Sequence, residues 1–262
     1  MKKLFFALLL LPISFSSKGY NPIWANIDKR LINGVIAANT NAASVEKFFI
    51  KGNPKYGAKN LGFGWSERNS AIGGGYISLH ATFYYYHDTI RSYTVYPQLP
   101  DDKHLHKMYM DWYSKGFSTT GGTIIPYLFG EQNILKPIKQ YNKYQTQISQ
   151  QLLEYMSPTS GDTYGYYGGY ANTILQNREA FNKIKNQLTP ELAIALLYSI
   201  NPISRLTGIE YYLKNKSLFN NQAEIEDWAE SIYNEVPKVD TLNGCIGSLE
   251  DARLLVLMYS SK

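Results

Sequence analysis

The chain has 262 residues and carries 26 Lys and Arg against 21 Asp and Glu, a formal net charge of +5. Its basic residues are scattered among acidic ones instead of forming the stripe or cluster that nucleic-acid binders show, which excludes a nucleic-acid partner from the reading. With one cysteine, Cys245, an internal disulfide is excluded too, and a chain of this length buries enough apolar surface to fold without one.

Met1-Lys2-Lys3 gives a positive start, Leu4 to Leu11 an unbroken apolar run, and Ser14-Phe15-Ser16 small residues at the two positions a signal peptidase reads. The pattern predicts a signal peptide over residues 1–16 and an exported protein, periplasmic or secreted. The run is about half of the roughly 20 residues a membrane-spanning helix needs. No cysteine follows it directly to take a lipid, so no stable membrane anchor is expected. Taking Lys2 and Lys3 from the 26 basic residues leaves 24 against 21 acidic, a net charge of about +3.

Ile27, Leu31, Val35 and Ile36 recur at helical spacing, and Val45, Phe48 and Phe49 resume it after the polar Asn39-Thr40-Asn41, which predicts two short helices. Lys51 to Gly64, rich in Gly, Asn, Pro and Lys, reads as a loop. Tyr76 to Tyr86 and Thr89 to Tyr96 are dense in aromatic and β-branched residues with His87-Asp88 between them, the pattern of a hairpin. A lone hairpin is marginal in water, so Leu61-Gly62-Phe63-Gly64-Trp65 or Thr123-Ile124-Ile125 is expected to add a strand to a small antiparallel sheet.

Asp101-Asp102-Lys103 opens a helix through Tyr113. From Pro137 onward the pattern is helical almost throughout. Ile138, Tyr141, Ile148, Leu152 and Tyr155 make one face, Ile174, Phe181 and Ile184 a second, and Ile225, Trp228, Ile232 and Tyr233 a third. The expected fold class is α+β, with a small antiparallel sheet in the N-terminal half and a mostly helical C-terminal half. A soft boundary near Glu131 separates an α+β region, 17–130, from a helical region, 131–262, leaving one continuous body and two domains both open.

Leu192 to Ser199 reads as a short helix after Thr189-Pro190-Glu191, and Asn201-Pro202-Ile203-Ser204-Arg205-Leu206-Thr207-Gly208 opens a second. Over residues 189–213 this resembles one HEAT-type helical repeat, in which a turn residue and Pro open the second helix, an Arg follows three later and a small residue three beyond that; Pro202, Arg205 and Gly208 match. The resemblance covers one unit, implies helix packing and use as a binding scaffold, and implies no activity.

Three constellations are candidates for chemistry. His80, His87, His104 and His106 fall close together in sequence with Asp88, Asp101 and Asp102 among them, and imidazole is a common ligand for zinc-like ions. Against a metal site, His104 and His106 are two apart on a helix, which places them on different faces. Cys245 precedes Ser248-Leu249-Glu250-Asp251, which reads as a helix cap, so the thiol is either a nucleophile near a helix N-terminus or, given the nearby carboxylates, a buried inert residue. Third, the Tyr/Gly segment with Tyr164, Tyr166, Tyr167 and Tyr170, together with Trp65 and Trp112, is where an aromatic face for a sugar ring would be found; core filling is the competing use.

Gly73-Gly74-Gly75 and Gly121-Gly122 lack the context of a phosphate loop and read as turns. No cofactor is expected. The reading is an exported, non-catalytic binding or interaction protein with a glycan or protein partner. The alternative is an exported hydrolase using the histidines or Cys245.

Overall fold

A computed structural model describes residues 20–39, 41–52, 58–115, 119–120, 123–124 and 148–261. Asn21 accepts from the amide of Ile23 at 2.9 Å and Pro22 takes the first helical position, starting α1 (Pro22–Ala38). Asn41 accepts from the amide of Ser44 at 2.9 Å at the start of α2 (Ala42–Gly52). The polar interruption between the two helices is therefore where the second helix is capped.

The period then changes from helical to two. Strands β1 (Lys59–Gly62), β2 (Trp65–Gly73), β3 (Ser78–Tyr86) and β4 (Thr89–Gln98) form one antiparallel sheet in sequence order. His87 and Asp88, both at positive φ (44° and 60°), make the two-residue turn of the β3–β4 hairpin. Lys51 to Gly64 is thus not loop throughout, because β1 lies within it. Lys, Asn and Gly are poor strand formers, and β1 exists because it pairs with β2 on one side and meets the C-terminal half on the other.

One face of the sheet presents Leu79, Ala81, Phe83, Tyr85, Tyr93 and Val95 to a core shared with Ile32 and Val35 of α1, Val45 and Phe49 of α2, and a third helix, α3 (Lys103–Tyr113). Asp102 caps α3 by accepting from the amides of His104 and Leu105 at 3.0 and 2.9 Å, and the helix buries Leu105, Tyr109 and Tyr113. The result is helices layered on one side of an antiparallel sheet, an α+β arrangement. β5 (Thr119–Thr120) and β6 (Thr123–Ile124) pair only with each other, so Thr123 and Ile124 add no strand to the main sheet. Ile125, Gly121, Gly122, Pro137, Ile138, Tyr141 and the boundary near Glu131 lie outside the described residues.

The C-terminal half is built from α4 (Gln150–Met156), α5 (Gln176–Ile184), α6 (Pro190–Leu196), α7 (Pro202–Lys214), α8 (Gln222–Glu235) and α9 (Ala252–Ser260). α7 is buried from Pro202 to Glu210 and again at Tyr212, so it runs through the middle of the half. Gly208 packs so closely against α6 that an added Cβ would meet the Leu196 side chain at 3.0 Å. Leu152, Tyr155, Phe181, Ile184, Ile225, Ile232 and Tyr233 are buried as the spacing predicts, whereas Ile174 is exposed.

Two short ribbons depart from the helical expectation. Tyr167–Gly168 (β7) pairs with Thr173–Ile174 (β8), and Lys238–Asn243 (β9) pairs with Ile246–Asp251 (β10). Ser248 to Asp251, which reads as a helix cap, is therefore strand, and the cap of α9 is Asp251, accepting from the amide of Leu254 at 2.9 Å.

The halves meet at β1. Leu61, Trp65 and Tyr84 bury together with Ile200, the Arg205 guanidinium donates to the Leu61 carbonyl at 2.7 Å, and the Phe63 amide donates to Glu235 at 3.0 Å. Gly62 sits at φ +80°, and a Cβ there would meet Arg205 and Val236 at 2.9 Å, so this crossing requires glycine. Among the described residues no helix is long and apolar enough to cross a membrane.

Candidate functional site

Side chains alternate along a strand, so the residues between Leu79, Ala81, Phe83 and Tyr85 turn away from the helices. These are Ser78, His80, Thr82, Tyr84 and Tyr86. The register places Gln98, Tyr96, Thr94 and Ser92 of β4 opposite the first four of them, and Asn69, Glu67 and Trp65 of β2 opposite Thr82, Tyr84 and Tyr86. The sheet thus carries a second face, made of polar and aromatic side chains.

On that face the His80 ring stacks on Tyr96, with centroids 5.3 Å apart and planes within 11°. His80 Nε2 lies 2.8 Å from Ser78 Oγ and 3.3 Å from Gln98 Oε1, and Ser78 Oγ donates to Gln98 at 3.2 Å. Across β3 and β2 a second chain runs on: Thr82 donates to Asn69 at 2.6 Å, and Asn69 donates to Glu67 at 2.9 Å. Tyr96, Asn69 and Gln98 are exposed, while Glu67, Ser78, His80 and Thr82 are half-buried. Ser92 is 1% exposed, and its hydroxyl has no hydrogen-bond partner among the described residues.

This geometry offers a flat stacked ring pair flanked by alternating donors and acceptors. Ser78 and His80 stand at the separation of a nucleophile and its base. The third group beside them is the Gln98 amide, and among the described residues no carboxylate contacts the imidazole.

Glu67 also lines a cleft of about 190 Å³ between the halves, walled by Leu61, Pro202, Val236 and Val239. Lys59 bridges Asp162 at 3.1 Å and Asp240 at 3.0 Å at this cleft. Burial works against the Lys59 charge, but the two carboxylates hold its ammonium above the usual lysine value.

The aromatic residues singled out from sequence do not form one surface. Tyr164 is 1% exposed and donates to Glu210 at 3.0 Å. Tyr166 donates to the same carboxylate at 2.5 Å, with the Arg178 guanidinium 3.8 Å from its ring centre. Tyr167 and Tyr170 remain exposed, Tyr170 at 98%. Trp65 is buried in the junction between halves, and Trp112 packs edge-on against Tyr109 on α3. Inward-facing phenols find a buried ion pair to bond; only the tip of the loop stays in solvent.

The four histidines do not assemble a metal site, and no group of three or more His, Cys, Asp or Glu among the described residues could hold an ion. His80 pairs with Tyr96, whereas His87 sits in the hairpin turn against Tyr86. They stand seven positions apart along extended chain, roughly 23 Å. His104 and His106 occupy the first turn of α3, where His106 Nδ1 lies 3.3 Å from the Pro100 carbonyl. Cys245 is exposed, contrary to the buried alternative. It occupies the two-residue turn between β9 and β10, six residues before the cap of α9.

Two features escaped the sequence reading. Arg178 and Glu210 form a buried pair at 2.7 Å with both side chains about 5% exposed or less; Glu210 within the apolar run of α7 was the available signal. The glycine turn 73–75 does present amides to an anion, but the anion is internal: Gly75 and Tyr76 donate to Asp28 at 2.5 and 2.8 Å. No family model matches this chain, and no curated protein or solved structure is significantly similar to it.

Proposed function

We propose that this is an exported, non-catalytic binding protein that holds a glycan on the outer face of its sheet. The observation that carries the reading is the Tyr96–His80 stack, edged by Ser78 and Gln98 and continued by Thr82, Asn69 and Glu67. A pyranose ring presents an apolar C–H face and a rim of hydroxyls, and this surface offers an aromatic plane beside a row of hydroxyl, amide and carboxylate partners. The charged, apolar-walled cleft beside Glu67 extends the same surface toward the C-terminal half. Export rests on the leader pattern over residues 1–16. In the same reading the α6–α7 pair is a single HEAT-type unit that serves packing.

Calorimetric titration and thermal shift against an oligosaccharide panel test this. Saturation at about a hundred times the dissociation constant is expected to add about 2.7 kcal/mol of stability. Tyr96→Ala should weaken binding by tenfold or more while leaving the melting temperature of the free protein within a few degrees. No stabilisation by any sugar, or unchanged affinity in Tyr96→Ala, overturns the proposal. A serine-hydrolase reading has one distance in its favour, the 2.8 Å between Ser78 and His80; fluorophosphonate labelling that disappears in Ser78→Ala would replace the binding reading with it.

A further inference from the structure

We infer that the N-terminal face of α1 docks reversibly on an anionic bilayer surface. The inference concerns a different surface from the sheet face and does not depend on the glycan reading. Helix α1 buries Ala25, Asp28, Ile32 and Val35 and packs Leu31 and Ile36 partly against the same core. Its apolar arc continues past that stripe into solvent, where Tyr20, Ile23, Trp24 and Ile27 are 53, 69, 47 and 37% exposed. Ile23, Trp24 and Ile27, one and three residues apart, lie on one side of the helix, and Tyr20 immediately precedes its Asn21 cap. Trp and Tyr beside exposed Ile is the composition of a surface that sits at the headgroup level of a membrane.

Charge selects the kind of bilayer. α1 contains three charged residues, and the one acid, Asp28, is buried against backbone amides and the Tyr109 hydroxyl. Of the two that reach solvent, Arg30 borders the apolar arc, while Lys29 lies on the opposite flank of the core stripe with its ammonium 5.6 Å from the Trp112 ring centre, so at the arc the helix offers anionic headgroups one cation without a competing exposed carboxylate of its own. A second copy of the chain, the other occupant such a face could take, has no comparable support from charge.

The test uses the protein recovered after export, with its N-terminus read by mass spectrometry, mixed with phosphatidylglycerol–phosphatidylcholine vesicles whose acyl chains carry bromine. Bromine quenches tryptophan at the headgroup–chain boundary. Quenching is expected, and Trp24→Phe should remove most of it, because Trp65 is buried at the junction of the halves, the half-buried Trp228 is stacked against Phe63 and Tyr198, and the half-buried Trp112 packs edge-on against Tyr109. Ile23→Ser with Ile27→Ser should cut vesicle partition by tenfold or more. Should that double variant fail to fold, the Trp24→Phe comparison decides alone. Absence of quenching, quenching unchanged in Trp24→Phe, or equal partition onto pure phosphatidylcholine overturns the inference. So does a dimer in sedimentation that the double variant dissociates while vesicle partition stays unchanged.

Discussion

Asp28 in the N-terminal half and Glu210 in the C-terminal half are both sealed from solvent, at 0 and 3% exposed, yet they are stabilised by different partners. Asp28 accepts from the amides of Gly75 and Tyr76 and from the Tyr109 hydroxyl, all within 2.8 Å, and contacts no cation among the described residues. Glu210 accepts from Arg178 on both oxygens, from Lys214 at 3.2 Å, and from the hydroxyls of Tyr164 and Tyr166. Burial alone would raise the Glu210 pKa, but Arg178, Tyr166 and Lys214 hold it below the usual glutamate value. Short directional bonds from a turn fix where that turn sits, so Asp28 pins the β2–β3 connection to α1. An added Cβ at Gly74 would fall 2.0 Å from its carboxylate, which is why this turn is glycine. An ion pair instead gathers elements, and Glu210 ties α5 and α7 to the tyrosine loop.

The sharpest way to break the comparison is to remove one member of each cluster. Glu210→Ala strands the Arg178 charge in the core and should lower unfolding stability by about 3–5 kcal/mol, whereas Arg178→Met with Glu210→Leu should cost far less, because it removes both desolvated charges together. Denaturant titration of the three proteins measures this, and a double variant as unstable as the single one would mean that the pair itself, not the stranded charge, is what matters. Asp28→Asn leaves no charge behind but gives three donors a single oxygen and a mismatched NH2, with an expected loss of roughly 1.5–3 kcal/mol. A loss equal to that of Glu210→Ala would erase the distinction between the two clusters.

Legibility in the sequence followed how local each cause is. The hairpin at His87-Asp88, the α3 start at Asp102 and the two helices before the sheet are set by neighbouring residues, and their patterns were readable. Strand β1 was legible only at its end, where Leu61-Gly62 falls in the segment expected to add a strand with Phe63-Gly64 turning into β2 at Trp65, whereas Lys59-Asn60 becomes strand through partners far from it in the chain. The β9–β10 ribbon had a local signal, Asn243-Gly244 at a turn with Gly244 at φ +57°, overridden by the acidic run that looked like a helix start. At the candidate site, the hairpin was legible but its outer face was not. The Tyr96–His80 stack needs the strand register, and Asn69 and Glu67 come from β2, whose polar sequence hides its strand character. The tyrosine loop misled because composition cannot tell a phenol that faces solvent from one that meets a buried carboxylate.

Those phenols supply the finest test of the comparison. Tyr109 on Asp28 and Tyr164 on Glu210 are both buried, and burial, reinforced by the carboxylate each one faces, pushes their pKa values upward. In the unfolded chain each ionises near 10, so above that pH the unfolded state loses a proton that the folded state keeps. Stability carried by each raised phenol is therefore complete below pH 10 and falls above it by about 1.4 kcal/mol per pH unit. At neutral pH, Tyr109→Phe and Tyr164→Phe should each cost roughly 1 kcal/mol; above pH 10 each should flatten the alkaline decline by that one-proton slope. Tyr164→Phe leaves Glu210 with Arg178, Lys214 and Tyr166, while Tyr109→Phe leaves Asp28 only two amides, so the neutral-pH cost should be larger for Tyr109 although the alkaline slopes match. Urea melts between pH 7 and 11.5, followed by tyrosinate absorbance, read both quantities. Equal neutral-pH costs would show that a cation-free carboxylate depends on its hydroxyl donor no more than an ion-paired one does.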